Sequence, residues 1–292
     1  MWFVFFFMFL VLVPSYGSAL TSYRGTYDLS LESASPGSGK TQFGTTIRSA
    51  EGTLIISRQH DCTGSALAES FRVILYEDNG EQWSIENEGT SWESPDHQEY
   101  QFDVWGRQNR QLVLKKRGSA QRQDNGDLLV NFHSHFKGQQ TITLSSADHP
   151  LLLPVQAEQI WMTLAQQGKT IINTQAFEPN LDDLRANVSL FVGNKTHKTQ
   201  QDALTHYAPK TPNNESHSVP CAHKACDYWP LLLGYHHTNA TQDGAQTPFF
   251  EARYTIDEQG VLWAAQLKYD GFSLNVQATE LKSLKDMRSD CP

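Results

Sequence analysis

The chain has 292 residues, of which 39% are hydrophobic, 11% aromatic and 19% charged, the composition of a folded protein long enough to bury a substantial core. Asp and Glu number 32 against 23 Lys and Arg, a formal net charge of −9. Such a surface repels phosphate backbones and anionic headgroups at long range, which argues against nucleic acid as a partner.

Every side chain from Met1 to Val13 is apolar, and Pro14, Ser15, Tyr16, Gly17, Ser18 and Ala19 follow as a breaker and a run of mostly small residues. This is the pattern of a signal peptide, with cleavage expected after Ala19 and Gly17 as the next site. The thirteen apolar residues reach about 20 Å as a helix, short of the roughly 30 Å hydrocarbon core, so a removable leader fits better than a permanent span. The run has no Lys or Arg before it, and no Cys near the junction would take a lipid. The expectation is a leader over 1–19 and a single domain over 20–292, exported to an oxidising compartment.

Alternating apolar residues then predict strands. Tyr23, Gly25, Tyr27, Leu29 and Leu31 form the first such run. Ala34 to Thr41 fits a relaxed phosphate-loop pattern, but Gln42-Phe43-Gly44 follows in place of a helix, so a hairpin loop is expected there. Further runs are Phe71, Val73 and Leu75; Tyr100, Phe102 and Val104; and Leu128, Val130 and Phe132. Asp78-Asn79-Gly80 and Asp124-Asn125-Gly126 stand between them as turn signals, because Asn and Gly tolerate positive φ at little cost.

His133 and His135 lie two apart on a predicted strand and so share a face, and His149 follows Asp148. A metal or acid–base site is conceivable from these three, yet no further ligand stands at a defined spacing. From Pro154 to Gln167 the period changes: Ala157, Ile160, Trp161 and Leu164 fall at helical spacing, with Pro154 suited to the first turn and Gly168 to the stop. Asn187, Asn194, Asn214 and Asn239 each begin an Asn-x-Ser/Thr sequon, a glycan acceptor only in a eukaryotic secretory protein. The polar stretch from about 194 to 220, with Pro209 and Pro212, reads as a long flexible loop. Phe250, Ala252, Tyr254 and Ile256, then Phe272, Leu274, Val276 and Ala278, complete the strands, with turn signals at Glu258-Gln259-Gly260 and Asp270-Gly271. An antiparallel meander with one apolar face follows.

Four cysteines in an exported chain read as two disulfides, with three pairings available. A local bridge between Cys221 and Cys226 is geometrically reasonable and leaves Cys62 with Cys291. The competing reading is zinc, since His217, His223, His236 and His237 flank the Cys221/Cys226 pair, though on loose spacings.

Several blocks together resemble the cell envelope integrity protein EipB family of Gram-negative bacteria. They are Ser22 to Leu31, Asp61-Cys62-Thr63-Gly64, Thr90-Ser91-Trp92-Glu93-Ser94, Tyr100-Gln101-Phe102, Leu153-Pro154 with the helix, Tyr228-Trp229-Pro230, Asp270 to Leu274, and Cys291-Pro292. The resemblance implies a mainly β periplasmic protein, an antiparallel meander curved into a β-spiral or open half-barrel with one or two packed helices, closed by a disulfide at the positions of Cys62 and Cys291. It implies a role in envelope integrity under stress, a fold similar to lipoprotein-handling proteins of the periplasm, and no catalytic residues. Two departures stand out: Phe177-Glu178-Pro179-Asn180 replaces a Phe-Asp-Gly block, and the Cys221–Cys226 loop is an addition.

The function expected is non-enzymatic: a monomer without cofactor or metal that binds a lipid, lipoprotein or envelope protein on the concave face of a curved sheet. Trp83, Trp92, Tyr100, Phe102 and Trp105 are the candidates for that face. The alternative is an exported hydrolase or metal-dependent enzyme using His133, His135 and His149.

Overall fold

The computed structural model describes residues 20–34, 46–146, 151–168, 170–198, 226–238, 248–269, 271–285 and 287. The leader, most of the 34–41 loop, His149, and Cys221 and Cys291 lie outside the described residues.

The first meander comprises β1 (Tyr23–Ala34), β2 (Ile47–His60), β3 (Ser65–Glu77), β4 (Gln82–Glu93), β5 (Glu99–Gln108), β6 (Gln111–Arg122), β7 (Leu128–Ser134) and β8 (Gly138–Leu144). After β9 (Leu151–Leu152) and the helix α1 (Pro154–Gln166) come β10 (Ile171–Phe177), β11 (Arg185–Val192) and β12 (Thr196–Lys198). The chain ends with β13 (Cys226–His236), β14 (Phe250–Asp257), β15 (Leu262–Tyr269) and β16 (Phe272–Ser283). All sixteen strands belong to one sheet, in the order β8 to β1, then β16, β15, β14, β13, β11, β10 and β9, with β12 on β13. The β9–β10 ladder is parallel and the others are antiparallel.

Alternation builds the strands as expected. In β1, Tyr23, Tyr27 and Leu29 are buried and Arg24, Asp28 and Ser30 are exposed. The hairpin signals are used: Gly80 and Gly126 take φ of 87° and 88°, a region open to Gly because it lacks a Cβ. The polar stretch that reads as loop begins with three residues of strand, β12, before leaving the described residues.

The sheet does not close on itself. Among the described residues no ladder joins β8 to β9, the two ends of the strand order. Instead one end rolls inside the other. Thr174, Gln175, Ala176 and Phe177 of β10 are buried in succession, which a strand achieves only with both faces covered. On one face Ala176 packs with α1 and β11; on the other Phe177, with Leu151 and Leu153, packs against Tyr100, Phe102, Val130 and Phe132 of β5 and β7. The result is a β-spiral whose overlap is held by side chains.

α1 lies inside the curve. Val155, Ala157, Trp161, Met162 and Ala165 bury against Ala186, Val188, Leu190 and Val192 of β11 and against Trp229, Leu231 and Leu233 of β13. Its polar side meets β2, where the Arg58 guanidinium pairs with Glu158. The N-cap residue, Leu153, has no side-chain acceptor for the first free amides of the helix. Glu93 of β4 supplies it: Oε2 accepts from the Val155 amide at 2.8 Å and Oε1 from the Gln156 amide at 3.0 Å. Gly168, at φ 76°, ends the helix where its position predicts.

Candidate functional site

Strand register separates the inner face of the spiral from the outer. Arg58, Ile56 and Leu54 of β2 stand opposite Leu67, Glu69 and Phe71 of β3, and Arg58 reaches the enclosed helix, so this set points inward. On the facing wall Leu231, Leu233 and Tyr235 of β13 stand opposite Tyr254, Ala252 and Phe250 of β14, packed against the helix cluster and the main core.

An aromatic ladder crosses this second wall. Ring centroids run 5.6 Å from Tyr235 to Phe250, 5.2 Å from Phe250 to Tyr269 and 5.0 Å from Tyr269 to Phe272, one ring per strand from β13 to β16. Tyr235, Phe250, Tyr254 and Tyr269 are only partly buried. Opposite them Leu54, Leu67 and Phe71 are likewise half-buried around the same core. Both walls therefore leave apolar surface accessible within the curve, as a site for an apolar group requires.

Two carboxylates stand among these rings. Glu69 is an exposed residue of β3 whose carboxyl is pushed up by the protein around it and then by the charge of Glu158, with Arg58 working the other way. Burial, then the charge of Glu69, pushes Glu178 up to about 7, while a hydrogen bond from Asn180 works the other way. The hydroxyls of Tyr235 and Tyr254 are raised by burial first and then by neighbouring tyrosine and carboxylate charge. Near neutral pH Glu178 is therefore partly protonated, so this region offers a hydrogen-bond donor alongside acceptor oxygens and apolar ring surface.

A groove of about 1030 Å³ lies elsewhere, on the outer face of β2 to β4, lined by Glu51, Ile55, Arg72, Ile74, Trp83 and Glu86 among others. Two of its charged groups are tied to residues beyond its lining: Arg72 bonds Glu88 at 2.9 Å and Glu51 accepts from the Tyr76 hydroxyl. The lumen, where half-buried rings meet carboxyls shifted by their surroundings, is the stronger candidate.

The five aromatics proposed from sequence do not share a face. Tyr100 and Phe102 point inward but are buried, edge-on to Phe177 at 5.5 and 5.8 Å, and serve the overlap. Trp83 packs at the rim of the main core. Trp92 and Trp105 face the other way from Glu93 and Val104, their immediate neighbours, and the Arg107 guanidinium stacks over Trp105 at 4.9 Å. His133 and His135 are exposed. Among the described residues no three His, Cys, Asp or Glu side chains are grouped to hold a metal. Cys62 is disulfide-bonded, and its sulfur lies 3.9 Å from the Met287 carbonyl oxygen.

With this geometry in view, comparison decides the family. The EipB-like family model matches residues 15–285. The chain belongs to the EipB-like family. Its fold is also that of a crystal structure of a β-barrel-like protein of a domain of unknown function, DUF1849, from Brucella abortus. The two share 19% identity at a TM-score of 0.74 over 91% of this chain and 99% of that one. No curated protein matches the sequence. The match to the EipB-like family covers both walls of the lumen, the overlap and α1.

Proposed function

We propose that the protein is a non-enzymatic factor of the periplasm that maintains the cell envelope by binding a lipid, or the acyl chain of a lipoprotein, in the lumen of the spiral. The observation that carries this reading is the ladder of Tyr235, Phe250, Tyr269 and Phe272, facing Leu54, Leu67 and Phe71 across a space that also holds Glu69 and Glu178. The Tyr235, Phe250 and Tyr269 rings, partly open to water, favour an apolar chain, and the carboxyls and tyrosine hydroxyls suit the polar end of an amphiphile. Membership of the EipB-like family supports the envelope role. The absence of a helix long and apolar enough to cross a membrane, among the described residues, is compatible with it.

Native mass spectrometry of the protein released from the periplasm tests the proposal. Adducts of lipid mass, lost when Tyr254 is replaced by Asp, are the expected result. A protein free of lipid that carries stoichiometric zinc or copper would overturn it.

A further inference from the structure

The spiral overlap carries no strand ladder, so its polar links are few and identifiable. Glu93, only 1% exposed, holds the Val155 and Gln156 amides of α1 and accepts at the same Oε1 from His97 Nδ1 at 2.6 Å. Arg122 of β6 reaches the Leu151 carbonyl and the Gln156 side chain, both at 3.0 Å. Lys116 of β6 bonds the Leu181 carbonyl. In each of these three links a charged group of the first meander grips a backbone or neutral group of the segment that begins at β9; the ion pairs Arg58–Glu158 and Lys137–Asp182 also cross between the two. Among these groups Glu93 is the one that accepts from free amides of the helix end, doing for Leu153 what an N-cap side chain does within one chain segment. The groups around it are His97 and Asp96 in the turn after β4, Tyr100 opposite it in β5, and Arg122 in β6.

We infer that β9 and the first turn of α1 form a clasp over the lumen, latched by the Glu93 carboxylate, and that releasing this latch admits the ligand. The inference rests on the lumen being the binding site. Its logic is local: Glu93→Gln keeps the size of the side chain but presents one acceptor to two amides and turns an N–H toward the other. Beyond the first turn Trp161, Met162 and Ala165 keep α1 packed on β11 and β13, so the first turn should loosen without the sheet unfolding.

Hydrogen exchange and uptake of the neutral dye Nile red, measured on the full mature chain, test it. In E93Q the amides of residues 155–159 should exchange roughly ten- to hundredfold faster, as expected for losing a charged hydrogen bond, while those of β1 and β16 keep their protection. Dye should load severalfold faster than into the wild type. Unchanged exchange in the first turn, or acceleration spread evenly over the sheet, overturns the clasp. Should E93Q fail to fold, H97Q, which keeps the carboxylate and removes one of its supports, must show the same local effect at smaller size, and no effect there also overturns it. Local acceleration with no dye taken up by either protein refutes the lumen as binding site and leaves the clasp standing. Equal loading with unchanged exchange does the reverse.

Discussion

Arg58 on β2 and Glu158 on α1 are joined at 2.5 Å, the guanidinium side chain 5% exposed and the carboxylate 38%. The asymmetry predicts unequal mutants. Removing the acid in E158A leaves a buried cation held by the Gly260 carbonyl, the Tyr23 ring and the charge of Glu69, and should cost about 2 kcal/mol, below the usual figure for breaking a buried pair because those partners remain and water reaches the acid side. R58M leaves a carboxylate that water can solvate and should cost less, about 1 kcal/mol. Urea denaturation of both variants checks the order.

Phe177 fills the overlap at 1% exposure, between Tyr100 and Phe102. F177A should cost about 3–5 kcal/mol, since neither wall can collapse into the space without breaking its own ladder. F177L, which preserves most of the volume, should retain more than half of that stability. Denaturation midpoints at constant m-value report it.

Glu178 titrates near 7 in the folded protein against an ordinary 4.5. Between those values the folded state holds a proton that the unfolded state has released, so this residue's contribution falls as pH rises through that window and is fully present below it. E178Q cannot titrate. The loss of stability from pH 5 to pH 8 should therefore be smaller in E178Q than in the wild type, measured as urea midpoints at the two pH values. An identical loss in both proteins would exclude the shift.

The Cys62 sulfur lies against Met287, four positions before Cys291, which favours a bridge between those two cysteines. C62S and C291S should each lower the stability, by up to about 5 kcal/mol on chain-entropy grounds, and each should expose one new thiol. C221S and C226S should cost less. Equal alkylation of all four cysteines in unreduced, denatured protein would rule out the scheme.

Much of the fold is legible in single residues. The Pro154 and Gly168 signals bound α1, observed over Pro154–Gln166, and the Asn-Gly turns lie where they read. The β5–β6 turn escapes because Asn109 and Arg110 take φ of 50° and 66° without a glycine to mark it. β15 escapes because Leu262, Trp263, Ala264 and Ala265 are buried in succession, which erases the alternation. The site was harder to see. In β5, 102 and 105 differ by an odd number and so cannot share a face, a parity test that separates Phe102 from Trp105 without any structure. The same test finds Glu69, an acid placed between Leu67 and Phe71 on the inward register. Nothing local marks Glu93 as the cap of α1, because its partner amides lie some sixty residues away in the chain.

The first strand and the last lie side by side in the middle of the sheet, and the Leu284 amide donates to the Ser22 carbonyl at 2.9 Å. Synthesis therefore delivers β1 long before its second neighbour exists. The β1–β8 meander can zip from local hairpins, but one flank of β1 stays unpaired, and adhesive to other chains, until β16 emerges. The adjacency of the two ends also makes the chain a candidate for circular permutation: linking 284 to 22 and cutting at the Gly126 turn would retain every ladder and deliver β1 directly between β16 and β2, at the cost of the bridge to Cys291.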